Sequence, residues 1–283
     1  MHNNEIMLSI IVPYYNYVSG LRKLLKSIPV DDRIEVIVID DGSYLECKQF
    51  AELKNETKNK NIIYWSECEN GGAGRARNKG IDMANGKYVL FADCDDFFVE
   101  DAFDIIIRTL YSYNDADVIF FAPTSITIEE KPSERHEIYE KLVKSYVEDD
   151  GVLNETRLRF LFFSPCSKLI RRDLIIKRHI RFDEIKYSND VMFSTKVGYY
   201  AKKVFAQNTS IYCIVEHEGS LTKNTCEEAL MKRRKVYMRW KYFLCTHISC
   251  KKIRYIGLPY RVYVAVILEF IRIIFYEMRH GTL

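Results

Sequence analysis

Residues 86–96 read G-K-Y-V-L-F-A-D-C-D-D, a short apolar run that passes directly into three aspartates. The run Lys87–Ala92 is rich in aromatic and apolar residues and follows Asn85-Gly86, which predicts a buried strand that begins at a turn. Ligands of open α/β sheets bind at the carboxyl ends of the strands, where loops bring polar groups together. The aspartates after this strand are therefore candidates for a functional site.

A second acidic pair follows a second apolar run. Ile34–Ile39 reads I-E-V-I-V-I and leads into Asp40 and Asp41, then Gly42 and Ser43. Taken alone, each acidic cluster is equally explained by an ordinary turn with a helix cap. Clustered carboxylates repel one another unless a cation compensates, and Mg²⁺ or Mn²⁺ prefers such oxygen ligands. Two clusters, each at the end of an apolar run, favour a metal-dependent site over two unrelated turns.

The first 125 residues alternate β-rich runs with helical patterns. Pro13 is expected to stop the first strand, because proline cannot donate to a strand ladder. Strand–helix alternation at this spacing predicts an α/β fold with a mainly parallel central sheet flanked by helices. Besides the two strands above, the predicted elements are strands at Leu8–Val12 and Ile62–Trp65 and helices at Ser19–Ile28, Tyr44–Asn59 and Gly71–Ala84.

The second half of the chain has weaker patterns. Residues 126–165 are polar and lack clean periodicity, so we interpret them as an insertion that carries helices. Leu169–Ile180 is predicted as a helix and Lys202–Val215 as one or two strands. From Glu227 onward the sequence predicts helix to the end.

The composition is that of an ordinary globular protein, with 48% hydrophobic and 29% charged residues. The net charge of +3 indicates no particular partner, and we expect no nucleic acid. The eight cysteines form no C-x-x-C pair and have no zinc-ligand spacing, and Met1–Met7 is polar, unlike a secretory signal. We therefore predict reduced cysteines and a cytoplasmic location. The sequence contains no run of eighteen uncharged apolar residues, so we predict no membrane-spanning helix.

Four ordered motifs carry a family resemblance: L-S-I-I-V-P-Y-Y-N (8–16), V-I-D-D-G-S (38–43), N-G-G-A-G-R-A-R-N-K-G-I (70–81) and G-K-Y-V-L-F-A-D-C-D-D (86–96). In order and spacing the chain resembles glycosyltransferase family 2, the inverting enzymes with the GT-A fold. The resemblance is strong over 7–125. It continues more weakly through K-L-I-R-R (168–172), R-F-D-E (181–184), S-N-D-V-M-F (188–193) and H-E-G-S-L-T (217–222).

The resemblance implies a nucleotide-sugar donor, of the UDP type, bound by the first half of the chain. It implies that Tyr15 lies against the face of the nucleotide base and that Asp40 accepts a hydrogen bond from a ring N–H. The basic residues of the third motif would approach the nucleotide or its phosphates. The residues that match donor-binding positions are Pro13, Tyr15, Asp40, Asp41, Arg77, Asp93 and, less closely, Arg75.

The resemblance also assigns the metal ligands. Asp93 and Asp95 match the D-x-D motif, with Asp93 toward the ribose and the metal and Asp95 toward the metal that joins the two phosphates. Asp96 resembles the acid that commonly follows this motif. His217 resembles a C-terminal histidine that can complete the coordination of Mn²⁺ or Mg²⁺. An isolated histidine before a turn is often structural, so that alternative remains open.

Asp190 matches the catalytic base of the family, the last acid of its x-E-D motif. The sequence departs from the motif at Asn189, where the family usually has glutamate. Asp183 and Glu184 are weaker candidates for the base. The resemblance thus implies a base that takes the proton of an acceptor hydroxyl.

The domain prediction follows from these assignments. We predict a GT-A catalytic domain over 1–222, in which 1–125 binds the nucleotide-sugar and 126–222 binds the acceptor. Residues 223–283 form a helical appendage with 13 Lys and Arg against four Asp and Glu.

The last part of this appendage has two explanations. Val262–Tyr276 is rich in apolar and aromatic residues but is interrupted by Glu269 and Arg272. A basic amphipathic helix of this kind suits the anionic inner face of the cytoplasmic membrane, which would make a lipid-linked saccharide of surface polysaccharide assembly the acceptor. A helix packed on the protein is the alternative.

Other functions fit the motifs less well. A sugar nucleotidyltransferase needs a Gly-rich, basic loop after the first strand, where this chain has Pro13-Tyr14-Tyr15-Asn16. A dinucleotide-binding dehydrogenase needs G-x-G-x-x-G after the first strand, whereas Gly71-Gly72-Ala73-Gly74 follows the third and Arg77 occupies the last glycine position. A catalytically inactive, membrane-associated scaffold would have no need of the acidic motifs.

Overall fold

The computed structural model describes residues 6–58, 61–217 and 224–258. The strands in these ranges are β1 (Leu8–Tyr14), β2 (Ile34–Asp40), β3 (Ile62–Ser66), β4 (Tyr88–Phe91), β5 (Phe97–Phe98), β6 (Val118–Phe121), β7 (Thr124–Thr127), β8 (Lys168–Arg171), β9 (Val204–Gln207) and β10 (Tyr212–Glu216). Seven of them form a central sheet with the order β3-β2-β1-β4-β8-β6-β9, and the other three form a smaller sheet with the order β5-β10-β7.

Ten helices lie in the described ranges and connect these strands or follow them. They are α1 (Val18–Lys26), α2 (Cys47–Glu56), α3 (Ala73–Met83), α4 (Ala102–Ser112), α5 (Glu137–Glu148), α6 (Val152–Leu161), α7 (Arg172–Lys177), α8 (Asp190–Tyr200), α9 (Glu227–His247) and α10 (Cys250–Tyr255). Among the described strands of the central sheet, β8 alone runs antiparallel to its neighbours, β4 and β6, so the predicted mainly parallel α/β sheet is confirmed.

The core strands are the apolar runs of the sequence. β1, β2 and β4 are buried along their whole length, because strands covered by helices on both faces need apolar residues at successive positions. The helix predicted at Ser19–Ile28 is confirmed as α1, which buries Leu21, Leu24 and Leu25 against this sheet.

The prediction that Pro13 ends the first strand is wrong. β1 continues to Tyr14, and Pro13 pairs with Ile39 of β2. The pairing of β1 with β4 stops at Ile11, whose carbonyl oxygen accepts a hydrogen bond of 3.1 Å from the Ala92 N–H. Alternate residues of a strand direct their backbone groups to the same side, so Pro13, like Ile11, faces the β4 side. The pairing of β1 with β4 has already ended at that point, and the N–H that Pro13 lacks is not needed for it.

The helix predicted over Leu169–Ile180 is partly wrong. Its first residues belong to strand β8, where Leu169 and Ile170 are completely buried between β4 and β6, and only Arg172–Lys177 is helical. A short apolar run has no periodicity that distinguishes a strand from a helix. The insertion at 126–165 does carry helices, α5 and α6, as predicted.

The parallel strands bring the two acidic motifs to one edge of the sheet. Asp40 is the last residue of β2, and Asp93 follows β4 by two residues. β1 lies between these strands and pairs with both of them in parallel, so the three carboxyl ends point the same way. This edge therefore carries the candidate site.

The C-terminal helices pack on the rest of the protein. α9 shares a buried apolar cluster with α6 and α8, formed by Phe160, Val191, Met192, Val236, Trp240, Leu244 and Ile256. Among the described helices, none has the length and apolar character needed to cross a bilayer. The helix predicted at 262–276 lies outside the described residues.

Candidate functional site

Three carboxylates form a compact cluster after β4. Oxygen atoms of Asp93, Asp95 and Asp96 lie within 4.8 Å of one another. Burial and the charges of the neighbouring aspartates raise the pKa of Asp95, and they raise the pKa of Asp96 well above its usual value. Full ionisation of the three carboxylates is thus unfavourable by itself, and a bound cation would relieve their mutual repulsion.

The cluster is held by strand β10 of the smaller sheet. The backbone N–H of Val215 donates to Asp96 Oδ1 at 2.7 Å, and the backbone N–H of Asp93 donates to the Tyr212 hydroxyl at 2.8 Å. Asp96 is 4% exposed, and its Oδ1 atom is already occupied by the hydrogen bond from Val215. Asp93 and Asp95 are more accessible than Asp96.

His217 follows β10 and lies beside the cluster. Its Nε2 atom is 3.6 Å from Asp95 Oδ2 and is buried without a hydrogen-bond partner among the described residues. Its ring meets Tyr17 edge to face, with centroids 5.9 Å apart. A buried imidazole nitrogen without a partner, next to three carboxylates, is the donor set expected for a divalent cation. The residues after His217 that carried the resemblance, Gly219 and Ser220, lie outside the described ranges.

Arg77 of α3 connects the acidic cluster to the segment before α8. Its Nη2 donates to Asp93 Oδ1 at 2.5 Å, and its Nη1 donates to Asn189 Oδ1 at 3.0 Å. The guanidinium carbon lies 5.3 Å from the ring centroid of Phe182. Arg77 is 6% exposed, so little of it is accessible to a nucleotide, and the predicted contact with the nucleotide or its phosphates stays a prediction.

Close packing of α3 against the chain before α8 makes this connection possible. A Cβ atom on Gly74 would lie 2.2 Å from the carbonyl oxygen of Asp183, so only glycine allows the approach. One turn later, the Asn78 side chain exchanges two hydrogen bonds with the Phe182 backbone, at 2.8 and 3.0 Å. The two contacts fix α3 on either side of Arg77.

Asp190 is the first residue of α8 and is half-buried in the same region. Burial raises its pKa, while the positive charges of Arg77 and Lys168 oppose the rise. Lys168 is buried, and its ammonium donates to the Phe162 carbonyl at 2.6 Å and to Ser194 Oγ at 3.1 Å. Ser194 lies one turn after Asp190, so Lys168 fixes the helix that presents the candidate base.

The two weaker candidates for the base have other partners. Both carboxylate oxygens of Asp183 accept hydrogen bonds from Arg239, at 3.1 and 3.2 Å. Glu184 is exposed and accepts a hydrogen bond of 3.2 Å from Asn78. Asp190 therefore remains the prediction that the geometry favours, because it combines burial with proximity to the acidic cluster.

The residues predicted to bind the nucleotide base lie at the ends of β1 and β2. Tyr15 is 40% exposed, and its ring centroid is 6.2 Å from that of Tyr44. Asp40 is buried and accepts a hydrogen bond of 3.0 Å from the Ser43 N–H. The Asn16 side chain binds the loop after β2, accepting a hydrogen bond of 3.0 Å from the Tyr44 N–H. The exposed ring of Tyr15 and the carboxylate of Asp40 thus lie at the ends of adjacent strands, and their contact with a nucleotide base stays a prediction.

Asp41 has a structural task besides its predicted one. Its two carboxylate oxygens accept hydrogen bonds from the N–H groups of Gly71 and Gly72, at 2.9 and 2.7 Å. Gly72 has a φ of +85°, a conformation that favours glycine. Arg75 is bound to Glu67 at 3.1 Å. Asp41 thereby shapes the loop that opens α3, and a contact with the base remains a prediction for it.

Some residues of the site were not found from the sequence. Tyr212, Lys168 and Arg239 support the acidic cluster, the candidate base and the segment before it, respectively. K-L-I-R-R was recognised as a weak motif, but nothing in it indicated that Lys168 is buried. Tyr212 and Arg239 carry no local signal, since their partners are distant in sequence.

The family model described as "Glycosyl transferase family 2" matches residues 9–178 of the chain. The chain belongs to this family. It is 30% identical over 235 residues to glycosyltransferase GlyA of Streptococcus pneumoniae, an alignment that covers 76% of this chain and 31% of GlyA. It is 27% identical over 303 residues to the cholesterol galactosyltransferase of Borreliella burgdorferi, covering 92% of this chain and 81% of that protein. The chain thus spans less than a third of the length of GlyA.

Solved structures show the same fold. The structure of S. aureus TarS 1–349 in complex with UDP-GlcNAc has a TM-score of 0.68 and 20% identity, covering 88% of this chain and 70% of that chain. The predicted GT-A-like fold and the predicted membership of glycosyltransferase family 2 are therefore confirmed. These findings favour neither a sugar nucleotidyltransferase nor an inactive scaffold. The domain boundary at 222 and the roles of the site residues stay predictions.

Proposed function

We propose that this family 2 glycosyltransferase moves a sugar from a UDP-sugar to an acceptor hydroxyl with inversion, and that it needs Mn²⁺ or Mg²⁺. One observation carries the proposal. In the described part of the chain, the buried guanidinium of Arg77 binds Asp93 of the acidic cluster and acts electrostatically on the half-buried Asp190, and the partnerless Nε2 of His217 lies 3.6 Å from Asp95 of the same cluster. Groups that could hold a cation and a group that could accept a proton thus lie near the carboxyl ends of the central strands, where ligands of such sheets bind.

Asp93, Asp95 and His217 would hold the cation. Asp96 is the less suited carboxylate, because it is buried and bound to the Val215 backbone. When bound, the cation would neutralise the charge that develops on the departing diphosphate. Arg77 keeps Asp93 oriented through its hydrogen bond of 2.5 Å.

Asp190 would accept the proton of the attacking hydroxyl. A carboxylate whose pKa is raised by burial is a better proton acceptor than an exposed one, and general-base assistance typically contributes about 10²–10⁴-fold. Tyr15 and Asp40 would hold the nucleotide at a distance from the reacting carbon, which keeps the donor aligned for attack.

A thermal-shift measurement with UDP and Mn²⁺ tests the donor and the metal together. We expect UDP with Mn²⁺ to raise the melting temperature by several degrees, since ligand at about 100 times its Kd stabilises by about 2.7 kcal/mol. UDP without a divalent cation should raise it less, and GDP with Mn²⁺ should also raise it less. Equal shifts with and without Mn²⁺ would contradict the metal site, and a larger shift with GDP would contradict the UDP-type donor.

We further propose that the acceptor is a lipid-linked saccharide at the inner face of the cytoplasmic membrane, as in the assembly of bacterial surface polysaccharides. Support comes from the basic composition of 223–283 and from the exposed cations of α9, among them Arg234 and Lys235. The similarity to a cholesterol galactosyltransferase adds an example of a lipid acceptor in a relative.

Flotation of the full chain with lipid vesicles tests the membrane proposal. We expect the protein to float with vesicles rich in phosphatidylglycerol but not with pure phosphatidylcholine, because each basic residue near an anionic surface contributes about 1 kcal/mol. Binding should weaken as salt is raised, since the Debye length shortens from about 10 Å at 0.1 M to about 3 Å at 1 M. Failure to float with either vesicle would refute the proposal.

A further inference from the structure

Helix α9 reaches the acceptor side of the site. Val236 packs in a buried cluster with Val191 and Met192, the two residues that follow Asp190 on α8. One turn of α9 is also fixed through Arg239, which binds the Asp183 carboxylate with both terminal nitrogens. Helix α9 is therefore held against α8, which carries the candidate base, and against the segment that precedes α8.

Tyr237, the residue after Val236, presents a partly exposed ring at this place. It is 36% exposed, while its edge contacts are with Phe163 and Trp240, whose ring centroids lie 5.9 and 6.1 Å away. Burial raises the pKa of Tyr237, and the charge of the Asp190 carboxylate raises it further, so the two residues are within electrostatic range.

The ring is fixed relative to the base by a short chain of contacts. Phe163 supports Tyr237 edge to face, and the carbonyl oxygen of Phe163 accepts a hydrogen bond of 2.5 Å from Ser194 Oγ. Ser194 lies one helical turn after Asp190 on the same face of α8. Trp240 is buried and meets Phe163 with centroids 5.5 Å apart, which closes the aromatic group from behind. The exposed part of this group is therefore held in place.

We infer that Tyr237 is the platform on which a pyranose ring of the acceptor packs, with its hydroxyl directed to Asp190. The inference rests on the proposed function, and it names a sugar ring rather than a lipid alcohol as the part of the acceptor nearest the base. The C–H groups on one face of a pyranose are apolar, and a fixed aromatic ring offers a matching surface at low conformational cost. The hydroxyls at the rim of the sugar stay free to meet a carboxylate.

The inference makes α9 part of the acceptor site. The predicted division at residue 222 would place Tyr237 in a separate appendage, whereas its contact with Phe163 places it beside the predicted acceptor-binding part, 126–222. Arg239 acts as a positioning residue, because it holds α9 through Asp183 and is not itself placed at the acceptor.

Saturation-transfer NMR on the full chain tests this assignment. The probes are the methyl β-glycosides of glucose, galactose and N-acetylglucosamine, with 1-octanol as the apolar probe, all in the presence of UDP and Mn²⁺. We expect at least one glycoside to bind the wild type through its C–H face. Tyr237→Ala should weaken that binding by about tenfold, while Tyr237→Phe, which keeps the ring, should preserve it.

Controls separate a lost platform from a lost fold. Tyr237→Leu keeps apolar bulk on α9 but lacks a planar face, so it should weaken glycoside binding while UDP affinity stays at the wild-type level. Tyr111→Ala removes a tyrosine that is 61% exposed on α4 and should change nothing. Unchanged glycoside affinity in both Tyr237→Ala and Tyr237→Leu would overturn the inference. So would binding of 1-octanol alone, or of no glycoside, to the UDP-bound wild type. Failure of UDP itself to bind with Mn²⁺ would overturn the proposed function as well.

Discussion

Asp95→Ala is expected to abolish sugar transfer and to remove the effect of Mn²⁺ on UDP binding. Asp95 belongs to the acidic cluster with Asp93 and Asp96, and its carboxylate is the one 3.6 Å from His217 Nε2. Without it, Asp93 and His217 alone would remain of the three residues proposed to hold the cation. Since metal ions contribute several kcal/mol of charge stabilisation to a departing diphosphate, UDP release from a UDP-sugar should slow by at least about 10²-fold.

The fold should survive this substitution. Burial and the neighbouring aspartates raise the pKa of Asp95, which means that its ionised form is disfavoured in the folded protein without a cation. Alanine at this position relieves that repulsion, so we expect the melting temperature without ligand to stay the same or to rise. Asp32→Ala, which removes an exposed carboxylate of the loop before β2, serves as the control and should leave both UDP release and Mn²⁺ dependence unchanged. Full activity in Asp95→Ala would refute the metal site.

Local sequence was sufficient to predict the half of the fold that positions the acidic residues. Apolar runs such as Ile34–Ile39 are long enough to form buried strands, and each ends in residues that favour turns. Parallel pairing then places the ends of β2 and β4 at one edge without further information. The grouping of Asp93, Asp95 and Asp96 follows from chain connectivity alone.

Contacts between distant parts of the chain could not be predicted in the same way. Arg77 binds Asn189, which is 112 positions away in the sequence. The residues around Arg77 in the sequence therefore do not indicate that this arginine, which matches a nucleotide-binding position, is buried. The resemblance to the family identified Asn189 only as a departure from glutamate. In the structure an amide at this position accepts from Arg77 without adding charge, while Asp93 supplies the carboxylate partner.

Strand β8 and helix α9 show a second limit. Lys168–Arg171 is too short for its periodicity to distinguish strand from helix, and its place in the sheet depends on β4 and β6, which flank it in space. The basic composition of α9 suggested a separate appendage. Its buried residues Val236 and Trp240 are spaced as one face of a helix, yet the sequence does not say which surface covers that face.

Asp190→Asn is expected to lower the rate of transfer by about 10²–10⁴-fold while leaving UDP and Mn²⁺ binding intact. Asparagine has nearly the same shape as aspartate but cannot take a proton from the acceptor hydroxyl. Asp190 does not belong to the acidic cluster, so its loss leaves the metal ligands in place. Rate and binding should therefore separate in this variant, whereas in Asp95→Ala they fall together.

The pH dependence of the wild type gives an independent check on the same group. Because burial raises the pKa of Asp190, the carboxylate takes up a proton at a higher pH than an exposed aspartate does. A protonated carboxyl cannot act as a base, so the transfer rate should fall as the pH is lowered through this raised pKa. The rate of Asp190→Asn should lack that acidic limb. A limb that persists in the variant would show that another group is responsible.

Glu184→Gln distinguishes Asp190 from an alternative base. Glu184 is exposed, and its contact is a hydrogen bond from the Asn78 side chain, which a glutamine oxygen can also accept. We therefore expect Glu184→Gln to transfer at nearly the wild-type rate with an unchanged acidic limb. If Glu184→Gln instead lost both the rate and the limb while Asp190→Asn kept them, the base would be Glu184. Asp190 would then serve only to balance the positive charges of Arg77 and Lys168, both of which act to lower its pKa.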